Sequence, residues 1–433
     1  MNVYSGSAVS KKQGLHPLVI IGVLFFVFGF VTWLGSVLIP YLKIACQLED
    51  VVSSYLVAFA FYISYFIMAL PSSVVLKYTG FKKGMALGLL IMAAGALLFI
   101  PAALSRTYSV FLLGLFVQGT GLSILQTASN PYVTILGPKE SAAKRISIVG
   151  ICNGVAGAVA PLILGAIVLG DADKLQSKID KITGDEKIAA LNALAHRVIL
   201  PYTVMTVLLV LLAALVYFSS LPEIDTELED EATGISNKHK TNIFQFPHLI
   251  IGVITLFLYV GVEVIAGDTI INYGASQGIP MSTAKFFTSL TLVGMLIGYI
   301  VGIICIPKYI SQRQALKISA FCAIIFALGA LFTQGYTSIS FVALLGLANS
   351  LMWPSIWPLA IDGLGKFTKI GSSLLIMAIG GGAILPLIYG RLADKYSFHQ
   401  AYWLVVPCYI MIAFYAVKGY KLGKTPAPTA IPE

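Results

Sequence analysis

Long apolar stretches separated by short polar connections occupy most of this chain. That pattern belongs to membrane-spanning helices rather than to the one-sided apolar periodicity of soluble ones. A bilayer core about 30 Å thick takes about 20 apolar residues per helix. Stretches of that length lie at 18–42, 51–76, 85–104, 108–136, 146–169 and 198–221, and a second set follows at 246–271, 286–306, 318–332, 339–361, 371–392 and 401–417. The pattern predicts an all-α membrane protein with twelve spans in two sets of six.

Two polar segments punctuate the pattern. The first, 170–196, mixes both charge signs in a helix-compatible spacing and reads as a small external hairpin between the fifth and sixth spans. The second, 222–245, carries Glu223, Asp225, Glu227, Glu229, Asp230 and Glu231 and then Lys238 and Lys240, and reads as the linker between halves. The expected organisation is a cytoplasmic tail at 1–17, a six-helix bundle at 18–221, a cytoplasmic linker at 222–245, a second bundle at 246–421 and a cytoplasmic tail at 422–433. Lys11 and Lys12 precede the first apolar run as in a signal peptide, but that run continues past Trp33 to Ile39 without a small-residue cleavage pattern. It is read as a retained span.

Composition agrees with this reading. Of 433 residues, 58% are hydrophobic and 11% charged, against about 25% charged in a soluble domain. The net charge of +9 is dispersed through short loops, as orientation charge rather than a nucleic-acid-binding face. With both termini cytoplasmic, Lys77, Lys82, Lys83, Lys139, Lys144, Arg145, Lys308, Arg313, Lys366 and Lys369 fall on the inner side, as the positive-inside rule requires. Arg391 and Lys395 are the main exceptions. Cys46, Cys152, Cys305, Cys322 and Cys408 show no ligand spacing, so neither a metal site nor a disulfide framework is expected.

Polar side chains inside spans are costly and mark function or helix ties. Glu263 and Asp268 share the seventh span, with Glu263 about 6 Å past its midpoint and Asp268 about 7 Å further on. Glu263 is the deepest carboxylate in the chain, able to exchange a proton between the two sides, to pair with a cation or simply to tie two helices. Asp268, nearer the interface, is a second coupling candidate that would otherwise cap or face water. In the fourth span Gln126 and Asn130 are four residues apart and share a face. With Asn153 of the fifth span they offer amides, which donate and accept toward hydroxyls without bringing charge. The alternative is helix–helix glue, worth about 0.6 kcal/mol per contact. Trp353 and Trp357 follow Asn349 in the tenth span, and Trp33 lies in the first. Sugars pack C–H faces on aromatic rings and need hydrogen bonds for their hydroxyls, so tryptophans plus amides form a coherent sugar site. Interfacial belt aromatics are the competing reading, and Trp403 is assigned wholly to that belt. Gly294, Gly298 and Gly302 form a close-packing stripe, and Gly380, Gly381 and Gly382 a packing or bending element.

The halves are visibly related: Gly157-Ala-Val-Ala-Pro161-Leu-Ile-Leu-Gly165 of the fifth span recurs as Gly382-Ala-Ile-Leu-Pro386-Leu-Ile-Tyr-Gly390 of the eleventh. Parallel duplication of six spans is the arrangement of major facilitator transporters, two pseudo-symmetric bundles around a central site. Four stretches narrow the resemblance: Phe25 to Trp33, Gln126-Thr-Ala-Ser-Asn-Pro-Tyr-Val-Thr-Ile-Leu-Gly137, Ser141 through Pro161, and Trp353 through Gly390. In these the chain resembles the fucose/galactose/glucose:cation symporters of the major facilitator superfamily, bacterial inner-membrane sugar importers, and most of all their glucose/galactose transporters.

The resemblance implies cation-coupled import of a neutral hexose such as glucose or galactose. N-acetylhexosamine or fucose import by the same mechanism stays open. It implies no cofactor beyond a co-transported H⁺ or Na⁺, a sugar and membrane lipid as partners, no nucleic acid, and function as a monomer. The family's fifth-helix Asn is matched by Asn153. Its fucose-type members place an Asp in the first helix and a Glu in the fourth, where this chain has Ser36 and Gln126, so coupling would fall on Glu263 and Asp268, on a Na⁺ site, or be absent. The loop Lys77-Tyr-Thr-Gly80-Phe-Lys82-Lys83-Gly84 lacks the superfamily's usual Asp. Proton-linked efflux of an amphiphilic compound is the second transport reading. No nucleophile–base pair or nucleotide loop suggests an enzyme.

Overall fold

The computed structural model describes residues 17–135, 142–171, 177, 179, 181–219, 221, 241–306, 308–364 and 367–423. Residues 1–16, most of the linker at 222–240 and the tail from 424 onward lie outside the described residues, as do Lys139 and Lys366.

Among the described residues the fold is helical, and eleven segments are long and apolar enough to cross a membrane. One of them, Val51–Ser105, has 55 residues and would run about 80 Å as a single rod, far more than one bilayer. It is two spans. The helical conformation breaks at Gly80 (φ 74°, ψ 173°), a left-handed backbone region that a side chain would strain. The chain doubles back there so tightly that a Cβ on Gly84 would stand 2.2 Å from Leu76. The eleven segments therefore hold the twelve expected spans, with the polar loop at 77–84 wound into the helix ends.

Several spans expected as continuous helices are broken near their middles or C-terminal ends. The first divides into Pro17–Thr32 and Gly35–Ala45, the seventh into Pro247–Asp268 and Ile270–Ser276, and the tenth into Gly335–Asn349 and Met352–Ile361. Each break carries a hydroxyl that bonds back to the preceding turn: Ser36 to the Trp33 carbonyl (2.9 Å), Thr269 to Ile265 (2.7 Å) and Ser350 to Leu347 (2.8 Å). Such back-bonding competes with the helical ladder and bends it. In the eleventh span the triple glycine adjoins a 3-10 turn, Ala378–Gly380, leading into Gly381–Lys395. Irregular backbone at membrane depth persists only where protein or a water-filled cavity surrounds it.

The bundles meet along two symmetry-related seams, and the repeated motif lies on both. The fifth span packs on the eighth, where the Ser289 hydroxyl donates to the Ala158 carbonyl (2.8 Å), and the second packs on the eleventh. Gly157 faces the Trp33 ring, while Gly382 and Gly390 face Tyr62 and Tyr55. The glycine stripe of the eighth span packs on the tenth: Gly298 meets Ser350 and Gly302 meets Leu351. Between the fifth and sixth spans, helix Gly184–His196 docks on the first span, where the Tyr41 hydroxyl donates to the carbonyls of Leu194 (3.1 Å) and Ala195 (2.9 Å). Exposed Val204, Val207, Leu208 and Leu211 give the sixth span an apolar outer face suited to lipid.

Candidate functional site

The amides of the first half sit on the fourth and fifth spans, held by close backbone packing. Gly29 of the first span approaches the Asn153 carbonyl so closely that a Cβ there would lie 1.9 Å from its oxygen. Only hydrogen fits, and this fixes where the Asn153 side chain leaves its helix. Gln126, Asn130 and Asn153 are all half-buried, with Asn130 towards the C-terminal end of the fourth span. The Gln126 amide nitrogen donates to the Tyr65 hydroxyl at 3.2 Å, which leaves its carbonyl oxygen to accept from another group.

In the second bundle, Glu263 is half-buried on the seventh span and accepts a 2.7 Å hydrogen bond from the Tyr259 hydroxyl one turn earlier. Asp268 and the hydroxyls of Tyr62, Tyr299 and Tyr409 lie within electrostatic reach of it. The Trp353 and Trp357 rings are half-buried and stacked, with centroids 5.4 Å apart and planes 26° from parallel. Asn349 is 1% exposed, and its side-chain oxygen accepts from the Tyr409 hydroxyl (3.1 Å).

Trp33 is 5% exposed. Its ring is clamped between Gly157 of the fifth span and Gly267 of the seventh, where added Cβ atoms would come within 2.4 and 2.2 Å of it. It therefore bridges the two bundles at the break of the first span. Asp268 lies beside this contact, 1% exposed, with Oδ2 3.0 Å from where a Cβ on Gly35 would stand.

The expected residues thus fall into two groups. Gln126, Asn130, Asn153, Glu263, Trp353 and Trp357 are half-buried on membrane-spanning helices. Trp33, Asn349 and Asp268 are buried in this conformation. The tyrosines are what sequence reasoning misses. Tyr65, Tyr259 and Tyr409 each hydrogen-bond one of the polar candidates, and Tyr299 stands within the field of Glu263. The Tyr259–Glu263 pair is legible as an i, i+4 spacing; the others are contacts between helices remote in sequence. No cluster of metal-ligating side chains occurs among the described residues.

One end of the molecule is closed. The Asp394 carboxylate, at the end of the eleventh span, accepts from the backbone N–H groups of Val51 (2.9 Å) and Val52 (3.1 Å), which open the second span in the other bundle. Behind it the Tyr55 and Tyr389 rings pack with centroids 5.9 Å apart. The C-terminal half of the first span, Gly35–Ala45, packs on the seventh as well as on its own bundle, whereas its N-terminal half, Pro17–Thr32, packs on its own bundle.

A duplicated twelve-span fold with broken helices around half-buried polar and aromatic side chains is that of a major facilitator carrier. The Major Facilitator Superfamily profile matches residues 21–374, and the chain belongs to that family. It is 37% identical over 415 residues to the glucose/galactose transporter of Brucella abortus biovar 1 (strain 9-941), covering 95% of this chain and 96% of that one. To the L-fucose-proton symporter of Escherichia coli (strain K12) it is 29% identical over 397 residues, 89% of this chain and 90% of that one. Among solved structures it resembles the major facilitator transporter FucP in the outward conformation, with a TM-score of 0.71, 27% identity and coverage of 93% and 98%.

Proposed function

We propose that this multi-pass membrane protein imports a neutral hexose, glucose or galactose, together with a cation by alternating access. The observation that carries the reading is a set of half-buried polar and aromatic side chains, amides on one bundle and a carboxyl with stacked tryptophans on the other, in a chain 37% identical to a glucose/galactose transporter. Gln126, with its nitrogen engaged by Tyr65, presents an acceptor to a sugar hydroxyl, and Asn153 and Asn130 present donors and acceptors beside it. Trp353 and Trp357 form an apolar platform for the C–H face of the ring. Trp33 roofs the cavity by joining the bundles, and Asn349 is tied to Tyr409 until the tenth span moves. Glu263 and Asp268 supply the negative charge on which a proton or Na⁺ travels.

The membrane is the bacterial inner membrane, with both termini cytoplasmic; the end closed by Asp394 then faces outward and the cavity opens inward. The protein works as a monomer. Likeness to an L-fucose-proton symporter supports H⁺ as the coupling ion. The test is uptake into proteoliposomes of glucose, galactose, fucose and N-acetylglucosamine under separate H⁺ and Na⁺ gradients. Accumulation of glucose or galactose against its gradient, driven by either ion, is expected. Equal uptake with and without both gradients would remove coupling, and no uptake of any of the four sugars would remove the substrate class.

A further inference from the structure

We infer that Asp268, rather than Glu263, is the group through which the coupling cation controls closure of the outer gate. The inference deepens the cation-coupled reading above and rests on it.

The two carboxyls differ in what surrounds them. Glu263 has a hydroxyl partner in Tyr259 and stays partly exposed. Asp268 is 1% exposed, and neither of its oxygens has a hydrogen bond of normal geometry. The Ser36 backbone N–H is within electrostatic reach of it. The Ser36 hydroxyl is turned away to Trp33, and that of the adjoining Thr269 to Ile265. The titratable groups that face Asp268 are Tyr55 and Tyr62 of the second span and Glu263 of its own helix. The first span brings Gly35 and Ser36, and the eighth brings Thr288, whose hydroxyl donates to the Gly267 carbonyl (2.7 Å); none of these titrates. No Lys, Arg or His forms an ion pair with Asp268 among the described residues.

This burial is made by gate closure. Gly35 and Ser36 belong to one bundle and Asp268 to the other, so the wall over the carboxyl exists only while the outer ends are together. Separating them returns Asp268 to water. Closing them strips water from a carboxylate that gains no cationic side chain, an arrangement stabilised only when a monovalent cation enters with it, as a proton on an oxygen or an alkali ion beside it. Cation binding and outer closure are then thermodynamically linked, each promoting the other. Glu263, already partnered by Tyr259, is left to tie sugar passage to the cation without setting the gate.

The experiment reads the gate without sugar. In a variant whose five native cysteines are replaced, Ala393→Cys, in the outer seam beside Asp394, is labelled from outside with an impermeant maleimide. The label is applied over a pH series without Na⁺ and over a Na⁺ series at one pH, with the thiolate fraction corrected on the denatured protein. The expected result is protection by acid or by Na⁺ of about tenfold, reduced to a flat response in Asp268→Asn and retained in Glu263→Gln. A pH response assigns the proton and a Na⁺ response the alkali ion. Wild-type closure indifferent to both ions overturns the inference without any Asp268 variant needing to fold. So does an Asp268→Asn response equal to the wild type, or a flat response in Glu263→Gln. Sugar binding, measured separately by calorimetry on the wild type, reports on the substrate reading and leaves the two failures distinguishable.

Discussion

Replacing Asp394 by Ala removes a carboxylate that spans the two bundles and receives two backbone N–H groups at the start of the second span. An anion at a helix N-terminus contributes about 0.3–1 kcal/mol when exposed, and up to about 2 in partly buried geometry. Asp394 is exposed, so about 1 kcal/mol is the appropriate figure, and it acts only in the closed state because the donor and acceptor lie on different bundles. The loss converts to about a fivefold fall in the ratio of outer-closed to outer-open molecules. Asp394→Asn keeps an acceptor but loses the charge and should fall between. The assay is the rate at which maleimide labels the thiol introduced by Ala393→Cys at saturating cation, expected to rise about fivefold with Asp394→Ala. Asp50→Ala is the control, because Asp50 caps the same helix end through Ser53 within its own bundle. Labelling unchanged by Asp394→Ala, or raised as much by Asp50→Ala, would refute the latch.

Other outcomes follow from the same geometry. Gln126→Ala should weaken hexose binding about tenfold, the scale of one lost hydrogen bond at a buried polar contact, and Tyr65→Phe by less; calorimetry showing both unchanged sinks the amide pocket. Glu263→Gln should retain sugar exchange but lose gradient-driven accumulation in proteoliposomes, and wild-type accumulation would free Glu263 of any part in coupling. Gly267→Leu, which drives a branched side chain into the Trp33 ring, should hold the outer end open, arresting uptake while leaving sugar binding from outside measurable. At Asp50 the Ser53 backbone N–H and then its hydroxyl hold the carboxyl below its ordinary range. A depressed group contributes stability above the unfolded value near about pH 4 and loses it as pH falls through the folded one. Asp50→Ala should therefore lower thermal stability at about pH 7, with the difference from wild type shrinking below about pH 4 in a melting series.

The number and placement of the spans could be read from hydropathy because a bilayer imposes a length on every crossing helix. Their interruptions could not. Ser36, Thr269 and Ser350 are ordinary residues in a hydropathy window, and only the assembled structure shows each hydroxyl turned back onto its own helix. The loop at 77–84 reads as a polar gap, yet the structure winds it into helix ends around Gly80. At the site, polarity at depth singles out Gln126, Asn153, Glu263 and Asp268. It does not reveal that Tyr65 and Tyr409 serve Gln126 and Asn349, since tyrosine is unremarkable in a chain with 21 of them. Trp33 illustrates the remaining gap: aromatic character suggests a sugar platform, while its clamping between Gly157 and Gly267 comes from helices of opposite bundles.

That clamp has an evolutionary corollary. A tryptophan gripped by two glycines is a three-body fit, so enlarging either glycine or shrinking the indole breaks it, whereas a paired change of one glycine to alanine and the indole to a smaller ring restores contact. Positions 33, 157 and 267 are thus expected to vary together or not at all among relatives, with a matched set of sizes standing for a working shutter. The proposed sugar contacts, on different side chains of the fourth, fifth and tenth spans, are then free to drift toward new hexoses without disturbing that shutter.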